Sequence, residues 1–206
     1  MRHRFGKKHR KTNETSITME LNLDGHGRYG IRTSLPFLDH MLELMAKHGN
    51  LDLTVQSRGD IHIDEHHLVE DIGIVMGELI SDILGSKQGV RRYGQDILEC
   101  RKVRLLTPMD ESLSYVALDL SGRPFLHYDV SFRQENKSPF PFELLEDFFQ
   151  AVAFNAKMGL HMHILHGRNN HHMAESLFKG FGRALNQAVS PDPTRGNSVP
   201  STKGLL

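Results

Sequence analysis

Two copies of the pattern His-His-x-x-Glu carry the residues best suited to chemistry, one at positions 66–70 and one at 171–175. On a helix the glutamate lies four residues after the first histidine and three after the second, so an imidazole and the carboxylate can share a face. Adjacent histidines point about a quarter-turn apart. This arrangement suits two metal ions better than one, with each copy donating to both. The alternative is that these histidines cap helix starts or are solvated.

An internal repeat adds candidate ligands. Pro-Phe occurs at 36–37 and 141–142, and Ala-Lys-His-Gly at 46–49 matches Ala-Lys-Met-Gly at 156–159. The repeat relates His40 to Asp147. The predicted metal ligands are therefore His40, His66, His67, Glu70, Asp147, His171, His172 and Glu175. Nitrogen and carboxylate donors without sulfur favour Mn, Fe or Zn, and six-coordination favours Mn. His161 and His163 are alternatives to Asp147, and His62 is a weaker one, since lone strand histidines are usually structural.

Basic side chains at turns and element ends form a second group. Arg92, Arg123, Lys179 and Lys203 occupy positions where an anion such as phosphate could be held. The ordinary alternative for each of them is a solvated surface charge. Glu14 is an early acid that nothing within the sequence distinguishes.

The elements that must position these residues follow from hydrophobic periodicity. Alternation at 17–23 predicts a strand, with 28–33 as its hairpin partner after a turn at 24–27. Helical spacing predicts a helix from Pro36 to Gly49 and another from about Glu65 to Gly85, separated by a strand at 51–57. The second half predicts strands near 100–106, 113–120 and 125–130, a helix between 142 and 159, a strand at 160–165 and a helix at 171–188.

The shared order of elements predicts an α+β fold with internally duplicated ββαβα halves. Its two sheets should each carry helices on one face. We expect a single domain over 1–206, built of repeats at 9–88 and 97–189. Residues 190–206 are rich in Pro, Gly and Ser and form a tail, for which disorder is the simplest alternative.

Composition narrows the function classes. The chain has 206 residues, with 25 basic and 25 acidic side chains, so its formal charge is zero and a nucleic-acid partner is not expected. No apolar run approaches the roughly 18 residues that a membrane span needs. Cys100 is the single cysteine, so neither an intramolecular disulfide nor a thiolate metal cage is possible. These features predict a cytoplasmic protein with a small-molecule partner.

Motifs along nearly the whole chain resemble those of the imidazoleglycerol-phosphate dehydratase family of histidine biosynthesis. The matching segments are 10–15 (Arg-Lys-Thr-Asn-Glu-Thr), 37–42 (Phe-Leu-Asp-His-Met-Leu), 59–71, 92–94 (Arg-Tyr-Gly), 108–111 (Pro-Met-Asp-Glu), 121–124 (Ser-Gly-Arg-Pro), 167–175 with 178–179, and 200–204 (Pro-Ser-Thr-Lys-Gly). The resemblance implies a duplicated α+β fold that is ferredoxin-like or similar to the second domain of a ribosomal protein. It also implies two Mn²⁺ ions per site and a homo-oligomer of 24 subunits with sites at subunit interfaces.

The resemblance also implies roles for individual residues. His40, Asp147 and the two His-His-x-x-Glu motifs match metal-ligand positions, and Glu14 matches a substrate-contacting, acid/base position. The implied phosphate-binding positions are His48, Arg92, Arg123, Lys179, Ser201 and Lys203. Two residues depart from the family pattern, because members often carry histidine at Asp147 and some carry a glutamine at Leu44. A fused phosphatase domain, found in some relatives, is not expected.

The implied reaction dehydrates D-erythro-imidazole glycerol phosphate to imidazole acetol phosphate. No carbonyl adjoins the C2 proton, so the imidazole ring must accept the electron pair. A metal ion at each ring nitrogen would stabilise an imidazolate intermediate, while Glu14 would move protons at C2 or at the leaving hydroxyl. The competing hypotheses are a dinuclear metal phosphatase or hydrolase and a metal-storage or metal-sensing protein.

Overall fold

The computed structural model describes residues 4–95, 98–100, 103–133 and 138–206. Within these ranges the chain forms two larger sheets, a separate two-stranded hairpin and four helices. The first half contains β1 (Phe5–Lys11), β2 (Thr15–Asn22), β3 (Tyr29–Arg32), α1 (Pro36–His48), β4 (Asp52–Gly59) and α2 (His66–Leu84). The rest contains β5 (Tyr93–Gln95), β6 (Leu98–Cys100), β7 (Val103–Leu105), β8 (Thr107–Met109), β9 (Ser112–Asp119), β10 (Phe125–Asp129), α3 (Leu144–Asn155), β11 (Gly159–His166) and α4 (Asn170–Val189).

The two halves have the same sheet topology, which confirms the predicted duplicated α+β fold. The first sheet has the order β1-β2-β4-β3, and the second has the order β5-β9-β11-β10, with β8 also paired to β9. In each sheet the two central strands are antiparallel, and the strand beyond them, β3 or β10, is parallel to its neighbour. The repeat therefore relates β2 to β9, β4 to β11, α1 to α3 and α2 to α4.

Alternating burial explains why the helices cover one face of each sheet. In β2 the buried Ile17, Met19 and Leu21 alternate with half-buried polar residues, and β9 has the same burial pattern. Helices α1 and α2 contact the first sheet, and α3 and α4 contact the second. Because α1 also packs on α4 and α2 on α3, the helices lie between the sheets and share one hydrophobic core.

The predicted hairpin between 17–23 and 28–33 is wrong. β3 lies beside β4, parallel to it, at the edge of the first sheet. Asp52, the first residue of β4, holds the preceding turn because its carboxylate accepts the backbone N–H groups of His26 (2.9 Å) and Arg28 (3.1 Å). The turn is thus tied to β4, and β4 occupies the place beside β2 that a hairpin partner would need.

The strand predicted near 100–106 lies only partly within the described residues. Its residues 101 and 102 lie outside the described residues, as does position 97, the predicted start of the second repeat. On either side of this gap, β6 and β7 pair with each other in an antiparallel hairpin, and β8 continues onto β9. The hairpin is therefore separate from the second sheet.

The C-terminal segment 190–206 packs against the loop that follows α2. Gly89 donates its N–H to the carbonyl of Ser198 (3.0 Å) and accepts from the N–H of Asp192 (2.8 Å). Val90 and Pro191 form an antiparallel bridge. These contacts hold the segment beside the end of α4.

Replacing Gly182 by alanine will lower the free energy of unfolding by about 1–3 kcal/mol, because overpacking at a helix contact forces the backbones apart. A methyl group on Gly182 of α4 would overlap the carbonyl oxygen of Met45 in α1. Thermal and denaturant unfolding measure the effect. Gly30→Ala is the matched control, since an added methyl there meets no described heavy atom within 4 Å; equal stability of the two variants would contradict this account of the packing.

Candidate active site

Both His-His-x-x-Glu motifs begin a long helix behind an equivalent cap. The side chain of Asp64 accepts the backbone N–H of His66 (2.9 Å), and that of Asn169 accepts the N–H of His171 (2.9 Å). The repeat relates these two capping residues. Since these side chains accept the N–H groups at the helix starts, the imidazoles are not needed as caps.

The first cluster joins α1 to α4 at their N-terminal ends. His171 Nε2 lies 3.4 Å from Glu175 Oε2, and His40 Nε2 lies 3.9 Å from the same oxygen. One donor atom from each of these three residues lies within 4.8 Å of the other two. Burial raises the pKa of Glu175, but the hydrogen bond and charge of Lys179 outweigh it, and the net pKa lies below its usual value. The cluster therefore offers two imidazoles and a charged carboxylate.

The second cluster joins α3 to α2 in the equivalent way. His66 Nδ1 lies 3.5 Å from Asp147 Oδ2, and His66 Nε2 lies 3.7 Å from Glu70 Oε2. Asp147 thus occupies the place that His40 has in the first cluster. Asp147 faces Nδ1 of the His66 ring, whereas Glu70 faces Nε2 of the same ring. The three groups therefore do not converge on one point as closely as those of the first cluster.

The second histidine of each motif points away from the first. The ring centroids are 6.2 Å apart in both motifs, and the ring planes are nearly perpendicular, at 83° for His66 and His67 and 89° for His171 and His172. His67 Nδ1 lies 3.1 Å from Asp60 Oδ2, and a hydrogen bond to Asp60 raises the pKa of His67. Each chain therefore directs its adjacent imidazoles to different places.

Glu111 is a functional candidate that the residue-by-residue prediction missed. Its Oε2 lies 2.7 Å from His172 Nδ1, and its Oε1 accepts the backbone N–H groups of Arg168 (3.2 Å) and Asn169 (2.8 Å). These hydrogen bonds lower the pKa of Glu111 to about 2, and the bond to His172 has the largest effect. Glu111 precedes β9 as Glu14 precedes β2, so the repeat itself contained the signal. A carboxylate on Nδ1 is the usual partner of a histidine that ligates metal through Nε2.

If His172 binds metal, as the family resemblance implies, replacing Glu111 by glutamine will lower metal affinity about 10- to 100-fold, the usual effect of removing a carboxylate that orients such a histidine. Competition with a chelator measures this affinity. Glu20→Gln is the control, because Glu20 is an acid of similar type that accepts a hydrogen bond from Lys7 Nζ (2.7 Å) on the outer face of the first sheet. Unchanged metal affinity in Glu111→Gln would show that Glu111 does not position His172.

Glu14 lies near the first motif. It is exposed in the turn between β1 and β2, and its carbonyl accepts the N–H of Asp60 (3.1 Å). Its negative charge contributes to the raised pKa of His67. Glu14 and Glu111 are thus related acids, each near the second histidine of a motif.

The histidines considered as alternatives to Asp147 lie elsewhere. His161 and His163 point outward from β11, where His161 lies beside His127 and Phe125, with ring centroids 5.8 and 5.5 Å away. His62 is exposed in the turn before α2. The structure thus places Asp147, and neither strand histidine, beside His66.

Four of the six predicted phosphate-binding residues line one cavity of about 700 Å³ near the C-terminus, namely Arg92, Arg123, Ser201 and Lys203. Arg92 bonds Asp119 through Nε (2.6 Å) and Nη2 (3.0 Å) and the carbonyl of Pro200 through Nη1 (2.8 Å). It therefore ties the C-terminal segment to β9, whereas Arg123 and Lys203 are exposed. Arg195 also lines the cavity, and no sequence signal distinguished it.

The other two predicted phosphate residues lie outside this cavity. Lys179 Nζ is 2.5 Å from Glu175 Oε1. His48 ends α1, and its pKa is lowered by loss of water around the ring and then by the charges of Lys179 and Arg183. Lys179 therefore lies one helical turn past Glu175 on α4, and His48 lies at the far end of α1 from His40.

Two structural elements separate the clusters from the cationic cavity within one chain. Glu111, bonded to His172, precedes the eight-residue β9, and Asp119, bonded to Arg92, ends it, a separation of roughly 26 Å at 3.3 Å per residue. Arg92 also donates its N–H to Ala188 near the end of α4, which begins at the second motif, and that helix spans roughly 26 Å between these points. Within one chain, the clusters and the cationic cavity therefore lie at opposite ends of β9 and α4.

A membrane-crossing helix is not found: among the described residues, none of the helices is both long and apolar enough.

Comparisons with known proteins agree in pointing to one family. The family-wide sequence model for imidazoleglycerol-phosphate dehydratase matches residues 33–185. Relatives of that name include those of Clostridium acetobutylicum, 52% identical over 96% of this chain and 95% of the relative, and Desulforamulus reducens, 52% identical over the full length of both. Crystal structures named for this enzyme are also similar. The structure from Staphylococcus aureus has a TM-score of 0.78 and is 36% identical, covering 91% of this chain and 99% of its own. The structure from Pyrococcus furiosus has a TM-score of 0.79 and is 32% identical, covering 97% of this chain and 100% of its own.

The match by the family's sequence model covers most of the chain, the curated relatives extend it to full length, and the solved structures share its fold. The chain therefore belongs to the imidazoleglycerol-phosphate dehydratase family and is a dehydratase of histidine biosynthesis.

Proposed function

We propose that this enzyme dehydrates D-erythro-imidazole glycerol phosphate to imidazole acetol phosphate with two Mn²⁺ ions in each site. The observation that carries the proposal is the pair of clusters related by the repeat. His40, His171 and Glu175 form one, and Asp147, His66 and Glu70 form the other. Two sets of donors related by the repeat, of which the first converges more closely, fit a substrate whose imidazole ring has two nitrogens on diverging sides.

The donor sets fit Mn²⁺. Imidazole and carboxylate ligands without sulfur suit Mn, Fe and Zn, and few protein ligands per cluster leave positions open for an ion that prefers six. His67 and His172 add imidazoles whose Nδ1 atoms face carboxylates, an arrangement that leaves Nε2 to bind metal. Bound at these residues, the ions would supply positive charge that lets the substrate's imidazole ring hold the electron pair left when the C2 proton departs.

The chain's own residues then bind the substrate and move protons. We infer that Arg123, Lys203 and Ser201 hold the phosphate, because these two exposed cations and the hydroxyl line one cavity. Arg92 positions the segment that carries Ser201 and Lys203, since it bonds the carbonyl of Pro200. We assign Glu14 to proton transfer at C2 or at the leaving C3 hydroxyl, since it is exposed and lies near His67.

The separation of clusters and cavity favours a site shared between chains. One chain would provide the metal-binding groups and another the phosphate-binding groups, within a homo-oligomer that we propose has 24 subunits. His67 and His172 point away from their own clusters and are suited to complete the clusters of neighbours. We also propose a cytoplasmic location, in keeping with a single cysteine.

The test is to remove metal, restore Mn²⁺, and follow turnover of imidazole glycerol phosphate together with particle size. We expect the stripped enzyme to be inactive and activity to return as about two ions bind per chain. Turnover by fully stripped protein would contradict the proposal. Phosphate release from simple monoesters would favour a hydrolase instead. If the parent enzyme shows no turnover and Arg123→Ala leaves metal binding unchanged, metal storage would be favoured.

A further inference from the structure

A second group of histidines lies on the outward face of the second sheet. β10 and β11 are parallel neighbours whose register pairs His127 with His161 and Asp129 with His163. Since side chains alternate along a strand, these four point away from the helices, while Leu126, Leu160 and Met162 point inward. The sheet therefore separates this group from α4 and from the two clusters of the candidate active site.

Three of these side chains converge. His163 Nδ1 lies 3.2 Å from Asp129 Oδ2, and the ring centroids of His127 and His163 are 4.9 Å apart. One donor atom from each of the three residues lies within 4.8 Å of the other two. The ring of His161 lies 5.8 Å from that of His127 and provides a neighbouring fourth donor.

An ion pair alone does not account for this arrangement. Asp129 needs one imidazole for an ion pair, and a second imidazole 4.9 Å from the first would repel it if both were protonated. Two imidazoles and a carboxylate with converging donor atoms form instead the kind of ligand set that borderline divalent metal ions prefer.

We propose that His127, Asp129 and His163 bind a divalent transition-metal ion on the outer face of the second sheet. Zinc is the ion whose chemistry fits best, because imidazole suits it and such sites bind zinc more tightly than manganese. The site shares no residue with the clusters of the proposed function, so the two can succeed or fail independently.

Zinc binding to the manganese-loaded enzyme tests this site. At equal free Zn²⁺, equilibrium dialysis and elemental analysis should find about one more zinc ion per chain in the parent enzyme than in the His127→Asn, His163→Asn double variant, which removes two of three donors. Each single variant should weaken this binding about tenfold or more. His9→Asn, which alters an exposed histidine on the first sheet, should bind as the parent does.

Turnover separates this site from the catalytic one. The double variant should retain parental turnover with Mn²⁺, because its substitutions lie on the other side of the sheet from α4. Its melting temperature shows whether it folds, and if it does not, the single variants and Asp129→Asn decide the question. Equal zinc content in the parent and in folded variants would overturn the proposal.

Discussion

His171→Asn will lower kcat/KM at least about 100-fold, more than is usual for losing a group that only supports a metal ligand. The substitution removes a donor of the first cluster, whose other members are His40 and Glu175. If the two clusters are functionally equivalent, His66→Asn will cause a loss of similar size. Steady-state kinetics measures this loss, bound metal is measured in parallel, and the melting temperature shows whether each variant folds.

The control for these variants is His9→Asn. His9 is exposed on β1, on the outer face of the first sheet, and is far from the motifs in sequence. We expect it to retain parental kinetics. Full activity and metal content in His171→Asn would show that the first cluster is not the metal site. A large loss in only one of His171→Asn and His66→Asn would restrict the essential metal to one cluster.

Two inactive variants will regain activity when their chains share a particle. Glu175→Gln damages the first cluster, and Arg123→Ala damages the cationic cavity at the opposite end of β9. With random 1:1 mixing and sites shared between two chains, about one quarter of the sites combine an intact cluster with an intact cavity. Co-expression with two affinity tags isolates mixed particles, whose turnover should reach about that fraction of the parental value.

Mixed particles of parental and Glu175→Gln chains calibrate this experiment, since about half of their sites should be intact. Glu175→Gln particles carrying both tags provide the inactive baseline. Mixed particles no more active than that baseline would place both groups of each site on one chain. That result would contradict the distance estimated along β9 and α4.

Much of the local structure could be predicted from sequence. The alternation in β2 and the helical stripe of α2 depend on contacts between residues two to four apart, which follow from backbone geometry alone. The same short-range geometry predicted that the paired histidines diverge. The internal repeat related His40 to Asp147 before any contact was known, because equivalent halves bury equivalent faces.

Long-range pairing could not be predicted in this way. Periodicity shows that β3 is a strand, but the choice between β2 and β4 as its neighbour depended on the bonds of Asp52 to the turn. The role of Glu111 likewise depended on β9 and α4 meeting at their ends. Arg92 is of a residue type that often binds phosphate, yet its guanidinium is hydrogen-bonded to the Asp119 carboxylate and the Pro200 carbonyl.

By itself, the amino-acid sequence determined the elements, the duplication and the donor types, since each of these depends on residue identity and near-neighbour spacing. Tertiary structure alone decided which donors meet, that His161 and His163 lie on an outer surface, and that the cationic cavity lies a whole strand away from the motifs. The physical reason is that packing joins residues distant in the chain, and helix crossings of α1 with α4 and α2 with α3 leave no trace in local periodicity.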